Sequence, residues 1–324
     1  MSRMDNIIDL IRRSSSFLVV SHENPDCDAL GSTLAVALVL RRLGKDVAMY
    51  NKDGVPSYLR FLPECSDIVD SVAHVTGEVD VVMLLDCADI SRPGEEFENF
   101  ISRSGATVVS IDHHATNRSG SDYCIVDENA SSTGVILYGI IKRLGVPISS
   151  EVAECLFCTI VGDTGSFRYS NTCSETFRIA AELVDCGADP EKISRFIYDS
   201  EPIGKVMLRT LAMKTLEVTE GIAFVHVSSE MFEKTGTKKE DSEGIVGMAR
   251  SVEGVEVAVF LRQEPDMGWK VSLRSKEYVD VAQIAGHYGG GGHRRAAGCL
   301  ISGPLATIKS RLCGSIQEAM SWTE

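Results

Sequence analysis

Thr107-Val108-Val109-Ser110-Ile111-Asp112-His113-His114 is the stretch that decides the fold. Its first five residues are mostly apolar and β-branched, which is typical of a buried strand. The run then ends in one carboxylate and two imidazoles. Buried strands seldom finish in three consecutive groups that bind metals or protons. By itself, the stretch leaves open a solvated turn that holds two histidines by chance.

Two other apolar runs in the same half end in polar groups of the same kind. Phe17 to Val20 leads into Ser21-His22-Glu23-Asn24-Pro25-Asp26-Cys27-Asp28, and Val79 to Leu85 leads into Asp86. Helical patterns separate these runs, and strands that alternate with helices predict an α/β fold, a mostly parallel sheet with helices on both faces. Ligands bind beyond the carboxyl ends of the strands in such sheets. We therefore expect these polar groups to meet at one edge.

The length of 324 residues accommodates two domains. We predict a first domain over residues 1–200, which contains these polar strand ends, and a connecting helix or linker over 201–220. A smaller α/β domain with a mixed sheet is predicted over 221–324, because the strand-like runs Ile222 to Val227, Val255 to Arg262 and Trp269 to Ser275 alternate there with helical patterns.

Composition restricts the partners and the compartment. The net charge of −14 argues against a broad basic face for long duplex nucleic acid, but it permits a small anion in a local pocket. No stretch approaches the roughly 18 apolar residues that cross a bilayer, and the N-terminus lacks a signal-peptide pattern. Ten cysteines without a regular spacing predict reduced thiols and a cytoplasmic protein. The oligomeric state stays open, with a homodimer as one option.

The polar groups at the strand ends form a candidate ligand set for metal ions. Together with an aspartate after the helical run Glu151 to Val161, they comprise four carboxylates and two imidazoles: His22, Asp26, Asp28, Asp86, His113 and Asp163. Mixed oxygen and nitrogen ligands suit Mn²⁺, with Mg²⁺ or Co²⁺ as alternatives. Two divalent ions would bring the formal charge near zero, whereas one would leave an excess of about two negative charges. Two ions roughly 3.5–4 Å apart can activate a water against a phosphorus atom.

Each part of this set also has an ordinary structural explanation. Asp26 or Asp28 would suit the N-cap of the helix that follows, and Asp86 could be a strand-end turn residue. The set as a whole, at the carboxyl ends of parallel strands, favours the metal site.

A second candidate site lies in the glycine-rich stretch Gly289 to Gly298. Four consecutive glycines are most simply a flexible loop. Since His293 and Arg294 follow at once, the backbone N–H groups of this loop could also approach an anion closely. Arg274, on the predicted strand Lys270 to Ser275, could contribute a contact to phosphate, although a surface salt bridge would equally explain it.

Taken together, these segments resemble the DHH phosphoesterase superfamily, which is named for its Asp-His-His motif. The stretch from His22 to Asp28 is similar to the first motif, Asp86 to the second, Asp112-His113-His114 to the third, and Asp163 within Gly-Asp-Thr-Gly to the fourth. The second half resembles the DHH-associated C-terminal domain through Val271 to Ser275 and Gly289 to Gly298. Size and domain pairing resemble the stand-alone NrnA-type proteins, which degrade oligoribonucleotides and dephosphorylate pAp.

The resemblance implies a role for each residue of the candidate sites. His22 and Asp26 would hold one ion, Asp28, His113 and Asp163 the other, and Asp86 would bridge them. The catalytic residues would be His114, which faces the scissile phosphate, and Asp112, which steadies the histidines. The nucleotide would be bound by the second domain, through Arg274, Ser275, Gly290, Gly291, Gly292 and His293.

The function that this implies is hydrolysis of short single-stranded RNA (nanoRNA), pAp or both by a metal-activated water. The alternatives are a phosphodiesterase for linear or cyclic dinucleotides of the pApA type and, less favoured, an inorganic pyrophosphatase or a non-catalytic nucleotide sensor. The sequence leaves the preferred substrate length, the polarity of digestion and the native metal open.

Overall fold

The computed structural model describes residues 3–114, 117, 119–265 and 268–321, and the chain folds into two units, Met1–Ser200 and Glu201–Glu324. Residues 201–220, predicted as a connecting helix or linker, belong to the second unit. In the described part of the chain, no helix has both the length and the apolar character that spanning a membrane requires.

A parallel sheet forms the centre of the first unit. Its strands are β1 (Ser16–Val20), β2 (Asp46–Tyr50), β3 (Ile68–Val69), β4 (Val81–Leu85), β5 (Thr107–Asp112) and β6 (Tyr123–Val126). They are ordered β3-β2-β1-β4-β5-β6, and every neighbouring pair runs in parallel. The predicted fold class is therefore confirmed. The two-residue strand β3 was not predicted, because it is too short to show a pattern.

Helices cover both faces of this sheet. They are α1 (Arg3–Arg13), α2 (Cys27–Arg42), α3 (Glu95–Ser104), α4 (Thr133–Leu144), α5 (Ser150–Asp163), α6 (Ser174–Asp185) and α7 (Pro190–Tyr198), with 3₁₀ turns at Ser57–Leu59, Cys65–Asp67 and Val72–His74. Phe17 and Val19 of β1 pack with α2 and α5, whereas Leu18 and Val20 pack with Phe97 of α3 on the other face. Burial on both faces explains why Phe17 to Val20 of β1 are all apolar.

The order of the strands determines where a ligand can bind. The chain moves outward from β1 to β2 and β3, then crosses back to form β4 on the other side of β1. The connections that follow β1 and β4 therefore diverge, which opens a crevice at the carboxyl ends of these two strands. His22 follows β1 and Asp86 follows β4 directly, so both lie at this crevice.

The second unit contains a mixed sheet with helices. The strands are β7 (Glu217–Thr219), β8 (Ile222–Val227), β9 (Val257–Gln263), β10 (Gly268–Ser275), β11 (Gly291–His293) and β12 (Ala296–Ser302). The helices are α8 (Ile203–Met213), α9 (Ser229–Thr235), α10 (Ile245–Arg250), α11 (Val281–Gly286) and α12 (Leu305–Ser321), with a 3₁₀ turn at Lys239–Ser242. The order is β11-β12-β10-β9-β8-β7, in which β8 and β9 pair in parallel and the other neighbours pair antiparallel.

The glycine-rich stretch is part of this sheet, which corrects the expectation of a flexible loop. Gly291 to His293 form β11 and pair with β12 after a two-residue turn. A Cβ on Gly290 would lie 2.1 Å from the carbonyl oxygen of Gly298, and one on Gly292 would lie 2.4 Å from that of Ala296. Close approach of two strands therefore requires glycine at these two positions, whereas Gly291 faces open space.

The contact between α2 and α5 offers a test of the packing that supports the site. A Cβ on Gly31 would lie 2.7 Å from both the Cys155 carbonyl oxygen and Thr159 Cγ2. We expect Gly31→Ala to lower the stability by about 1–3 kcal/mol, because the helices must separate. Gly139→Ala in α4 is the matched control, since nothing lies within 4 Å of its Cβ and alanine favours a helix by about 0.5–1 kcal/mol.

Calorimetry of the full chain measures this difference. A melting temperature that falls by at least about 2 °C in Gly31→Ala and stays level or rises in Gly139→Ala is the expected result. Equal behaviour of the two variants would contradict the close packing of α2 and α5.

Candidate metal centre

The polar groups predicted to meet at the sheet edge do come together. The Nε2 atom of His113, after β5, lies 2.9 Å from Asp163 Oδ2 at the end of α5. The same atom lies 3.8 Å from Asp28 Oδ2 and 3.8 Å from Asp86 Oδ1. The Nε2 atom of His22 lies 3.5 Å from Asp86 Oδ2. Residues as far apart in sequence as His22 and Asp163 thus share one small volume.

The ligand atoms fall into two main groups, within each of which all atoms lie within 4.8 Å of one another. The groups are His22, Asp26 and Asp86, and Asp28, His113 and Asp163. A third grouping joins Asp86 and His113 with His114. The two oxygens of Asp86 divide between the main groups, since Oδ2 is close to His22 and Oδ1 is close to His113. Each group could hold one divalent ion, with Asp86 in contact with both.

Asp86 is held by an uncommon backbone conformation at the end of β4. Its φ of 57° lies in the left-handed region, which aspartate tolerates better than most residues. Its N–H donates to the Ile111 carbonyl oxygen at 3.1 Å, which extends the sheet by one bond, and Thr133 Oγ1 donates to its Oδ1 at 3.2 Å. Backbone strain that such contacts maintain is common at functional sites.

Asp28 is completely buried and is stabilised by the start of α4. Its Oδ2 accepts the Thr133 N–H at 2.7 Å, and its Oδ1 accepts the Gly134 N–H at 3.1 Å and the Ser32 hydroxyl at 3.2 Å. The positive end of the α4 dipole therefore points at this carboxylate. Ser132 caps the same helix, since its side chain accepts the Val135 N–H. The contacts of Thr133 and Gly134 to the site were missed; their signal was a hydroxyl-rich helix start just after β6.

Asp26 caps a helix in a way that is compatible with a role as a metal ligand. Its Oδ1 accepts the N–H groups of Asp28 and Ala29, both at 3.0 Å, so it caps α2. The carboxylate is exposed, and its second oxygen takes no part in the cap. The cap fixes the orientation in which Asp26 joins His22 and Asp86.

Both imidazoles of the main groups present Nε2 to the site. His22 Nδ1 lies 2.7 Å from the Glu23 carbonyl oxygen, and His113 Nδ1 lies 3.3 Å from that of Ala130. A carbonyl oxygen only accepts, so Nδ1 carries the proton in each ring. The lone pair on Nε2 is then free for a metal ion, which is the arrangement found in most histidine metal ligands.

His114 has different surroundings, which centre on Asp112. The Nδ1 of His114 donates to Asp112 Oδ1 at 2.8 Å, and Asn117 Nδ2 donates to Asp112 Oδ2 at 2.7 Å. Burial alone would raise the pKa of Asp112, but these two bonds hold that pKa below its usual value. The bond to Asp112 raises the pKa of His114 in turn. Asn117, which also donates to the Cys87 carbonyl oxygen, was not predicted.

The electrostatics of the centre favour a bound cation. Burial, together with repulsion from Asp86, raises the pKa of Asp28 well above its usual value, and burial likewise raises that of Asp163. Burial alone would lower the pKa of His113, but the Asp163 carboxylate raises it to about 9. Protons thus take the positions that cations would occupy. Oxygen and imidazole donors of this kind fit Mn²⁺ and similar divalent ions.

The residues predicted to bind substrate lie in the second unit. Arg274 on β10 and His293 on β11 are both cross-strand partners of Ala296 on β12, so all three share one face of the sheet. Ser275 is fully buried, and its hydroxyl donates to the Val279 carbonyl oxygen at 2.7 Å. Packing accounts for Ser275 without a ligand.

Comparisons with known proteins agree with the motifs. Residues 16–160 match the family model "DHH family, N-terminal domain", and residues 221–314 match "DHHA1 domain". The bifunctional oligoribonuclease and PAP phosphatase NrnA of Thermus thermophilus is 35% identical over 94% of this chain and 90% of that protein. Its namesake in Bacillus subtilis is 29% identical over 90% of this chain and 92% of that protein. An exopolyphosphatase-related protein from Bacteroides fragilis has a similar structure, with a TM-score of 0.91 and 27% identity over 98% of this chain and 96% of that one.

The raised pKa of His113 predicts how the metal-free protein responds to pH. A folded-state pKa of about 9 against the ordinary 6.5 stabilises the fold below pH 6.5, and this stabilisation is lost as the pH rises through 9. The raised pKa values of Asp28 and Asp163 also make the stability of the fold decrease as the pH rises, but they do so at lower pH. We expect the melting temperature in EDTA to fall between pH 6.5 and 9, and to fall less with Mg²⁺ or Mn²⁺ present.

Thermal unfolding at several pH values, with and without the ion, measures this effect. Asp163→Asn is the control, because it removes the carboxylate that raises the pKa of His113 and should flatten the pH dependence in EDTA. The same pH dependence with and without metal would contradict an ion bound at His113.

Proposed function

We propose a function for this chain, which belongs to the DHH family of phosphoesterases. It uses two divalent ions to hydrolyse phosphoester bonds in short oligoribonucleotides and pAp. The single observation that carries the proposal is the division of Asp86 between the two ligand groups. A carboxylate whose two oxygens address two ligand sets is what a two-ion site requires. The names of the Thermus thermophilus and Bacillus subtilis relatives support the choice of substrate.

In this proposal His22 and Asp26 bind one ion, and Asp28, His113 and Asp163 bind the other. The charges support two ions, because four carboxylates are neutralised by two divalent cations and only half neutralised by one. Mn²⁺ is the proposed native ion, since the donors mix carboxylate oxygen with imidazole nitrogen. When bound, two such ions supply a water activated at neutral pH and stabilise the charge that develops on the phosphoryl oxygens.

His114 is proposed to stabilise charge on the scissile phosphate rather than to bind metal. Its Nδ1 is engaged by Asp112, so Nε2 is the nitrogen that can meet the substrate. The bond to Asp112 raises the pKa of His114, which favours the positively charged ring, and the side chain is 44% exposed. Asp112 acts through His114, because it fixes the tautomer and the orientation of the ring.

The second unit is proposed to bind the nucleotide on the sheet face that carries Arg274, Ala296 and His293. On this face small residues separate the cationic group and the imidazole, so the backbone of β11 and β12 is accessible to a phosphate. Burial lowers the pKa of Arg274, and repulsion from Arg250 adds to this. In the described part of the chain, no carboxylate forms an ion pair with Arg274. A guanidinium without an ion pair favours an anionic ligand.

Purified protein with Mn²⁺, given RNA of two to about twenty nucleotides, pAp, pApA and pyrophosphate side by side, tests the function. We expect the shortest RNAs and pAp to be hydrolysed fastest, and Asp86→Asn to reduce the rate by at least about 10³-fold, because both ions lose a ligand. Asp89→Asn, in the same loop but outside the ligand groups, is the control. Faster hydrolysis of pyrophosphate than of any nucleotide would overturn the proposal, and pApA as the best substrate would favour a dinucleotide phosphodiesterase.

Arg274→Ala and Gly291→Ala test the role of the second unit. Gly291 has open space around its Cβ position and no positive φ, so alanine there should fold normally. We expect both variants to raise KM for short RNA about tenfold or more with bound metal unchanged, because a contact to phosphate is lost in one and the approach to the backbone is blocked in the other. Gly247→Ala, which also faces open space, is the control. Loss of metal in Arg274→Ala would mean that this residue belongs to the metal centre.

A further inference from the structure

Three consecutive residues adopt the left-handed conformation one residue after the candidate ligand Asp163. Gly165, Ser166 and Phe167 have φ values of 55°, 60° and 64°. Glycine adopts this region freely, but serine and phenylalanine do so at a cost. The turn is held in place because the Phe167 N–H donates to Thr164 Oγ1 at 2.8 Å and the Phe167 ring stacks on Phe177, with 5.1 Å between centroids.

This turn presents a cation and an aromatic ring side by side. The Arg168 guanidinium lies 6.0 Å from the centroid of the Tyr169 ring, and Arg168 Nε donates to the Gly165 carbonyl oxygen. The Tyr169 ring lies against Gly165, where a Cβ would come within 2.5 Å of Cε2 and Cζ. Tyr169 is nevertheless 49% exposed. The ring thus packs against the turn and remains at the surface.

A second tyrosine completes this surface. The Ser166 hydroxyl donates to the Tyr198 hydroxyl at 2.9 Å, and Tyr198 is 43% exposed. We call the side chains of Ser166, Arg168, Tyr169 and Tyr198 the aromatic rim. In the part of the chain that the structure describes, no carboxylate forms an ion pair with Arg168, so the rim carries a positive charge.

The rim borders the metal centre through the backbone. Asn171 Nδ2 donates to the Asp163 carbonyl oxygen at 3.1 Å and to the Ser131 carbonyl oxygen at 3.0 Å. The first of these bonds attaches the end of the rim segment to the backbone of a candidate ligand. The segment that carries the rim therefore begins beside a candidate metal ligand and is bonded to its backbone.

We propose that the aromatic rim is a nucleobase subsite, in which Tyr169 stacks on a base of the substrate and Arg168 contacts the same base or its adjoining phosphate. Bases stack on exposed aromatic rings and guanidinium groups irrespective of their sequence. The inference rests on the proposed function and deepens it. It requires a substrate with a base, and pyrophosphate or polyphosphate would leave the rim unused.

The test compares substrates with and without bases. Tyr169→Ala, Tyr169→Phe and the parent enzyme receive an adenine dinucleotide and its abasic tetrahydrofuran counterpart, with Mn²⁺. We expect Tyr169→Ala to raise KM for the adenine dinucleotide by at least about fivefold with kcat within about twofold, and to leave KM for the abasic substrate unchanged. Tyr169→Phe should match the parent, because the ring is kept. Val184→Ala, which removes an exposed apolar side chain of α6 outside the rim, is the control for surface change.

A binding measurement without turnover separates the two possible failures. With Ca²⁺ in place of Mn²⁺, calorimetry should give weaker binding of AMP to Tyr169→Ala than to the parent, and equal binding of ribose 5-phosphate. If the parent hydrolyses neither dinucleotide, the proposed function fails, and the AMP result still decides the subsite. If Tyr169→Ala equals the parent in AMP binding and in KM, the subsite is overturned while the function stands.

Discussion

Carboxylates held next to one another in a buried crevice are the constraint on which the rest of the first unit depends. Asp28 has no exposure, and Asp86 and Asp163 lie beside it, so the negative charges of Asp28 and Asp163 are destabilised by burial and by their neighbours. The fold offsets this with donors aimed at the charges. The N–H groups of Thr133 and Gly134 do so at the start of α4, and they can because the parallel sheet brings a helix start to the edge where the strands end.

The geometry of the centre depends on helix packing around Thr159, which is several residues away from the candidate ligands. Thr159 of α5 meets both Gly31 of α2 and Gly134 of α4, at positions where any Cβ would collide with it, and its hydroxyl lies 3.1 Å from Ser132 Oγ. These contacts fix how α2, α4 and α5 approach one another. Since α2 carries Asp28 and α5 carries Asp163, the distance between two carboxylates is determined by helix packing, and small residues are as necessary there as the ligands.

The two units divide the chemistry. Among the described residues, the groups that could hold ions lie in the first unit, and the second carries the face of small residues, flanked by Arg274 and His293, that we propose to bind an anion. A compact face of this kind fits a short nucleotide better than a polymer, which would need an extended basic groove. The net charge of −14 is consistent with such a local contact. The aromatic rim after Asp163, as proposed, favours a substrate that contains a base. A site for phosphate alone would not need such a rim.

The sequence by itself determined the α/β class and the residues of the candidate centre. Strand and helix periodicities are local, and the polar groups at His22, Asp86 and Asp112 to His114 stand at the ends of recognisable strands. It could not reveal what depends on contacts between distant segments. The bonds from Thr133 to Asp28 join residues 105 apart, and the shared face of Arg274 and His293 exists only through the register of β12. The left-handed conformations of Asp86 and Phe167 are likewise a tertiary result, because surrounding contacts stabilise a backbone that neither residue adopts by preference.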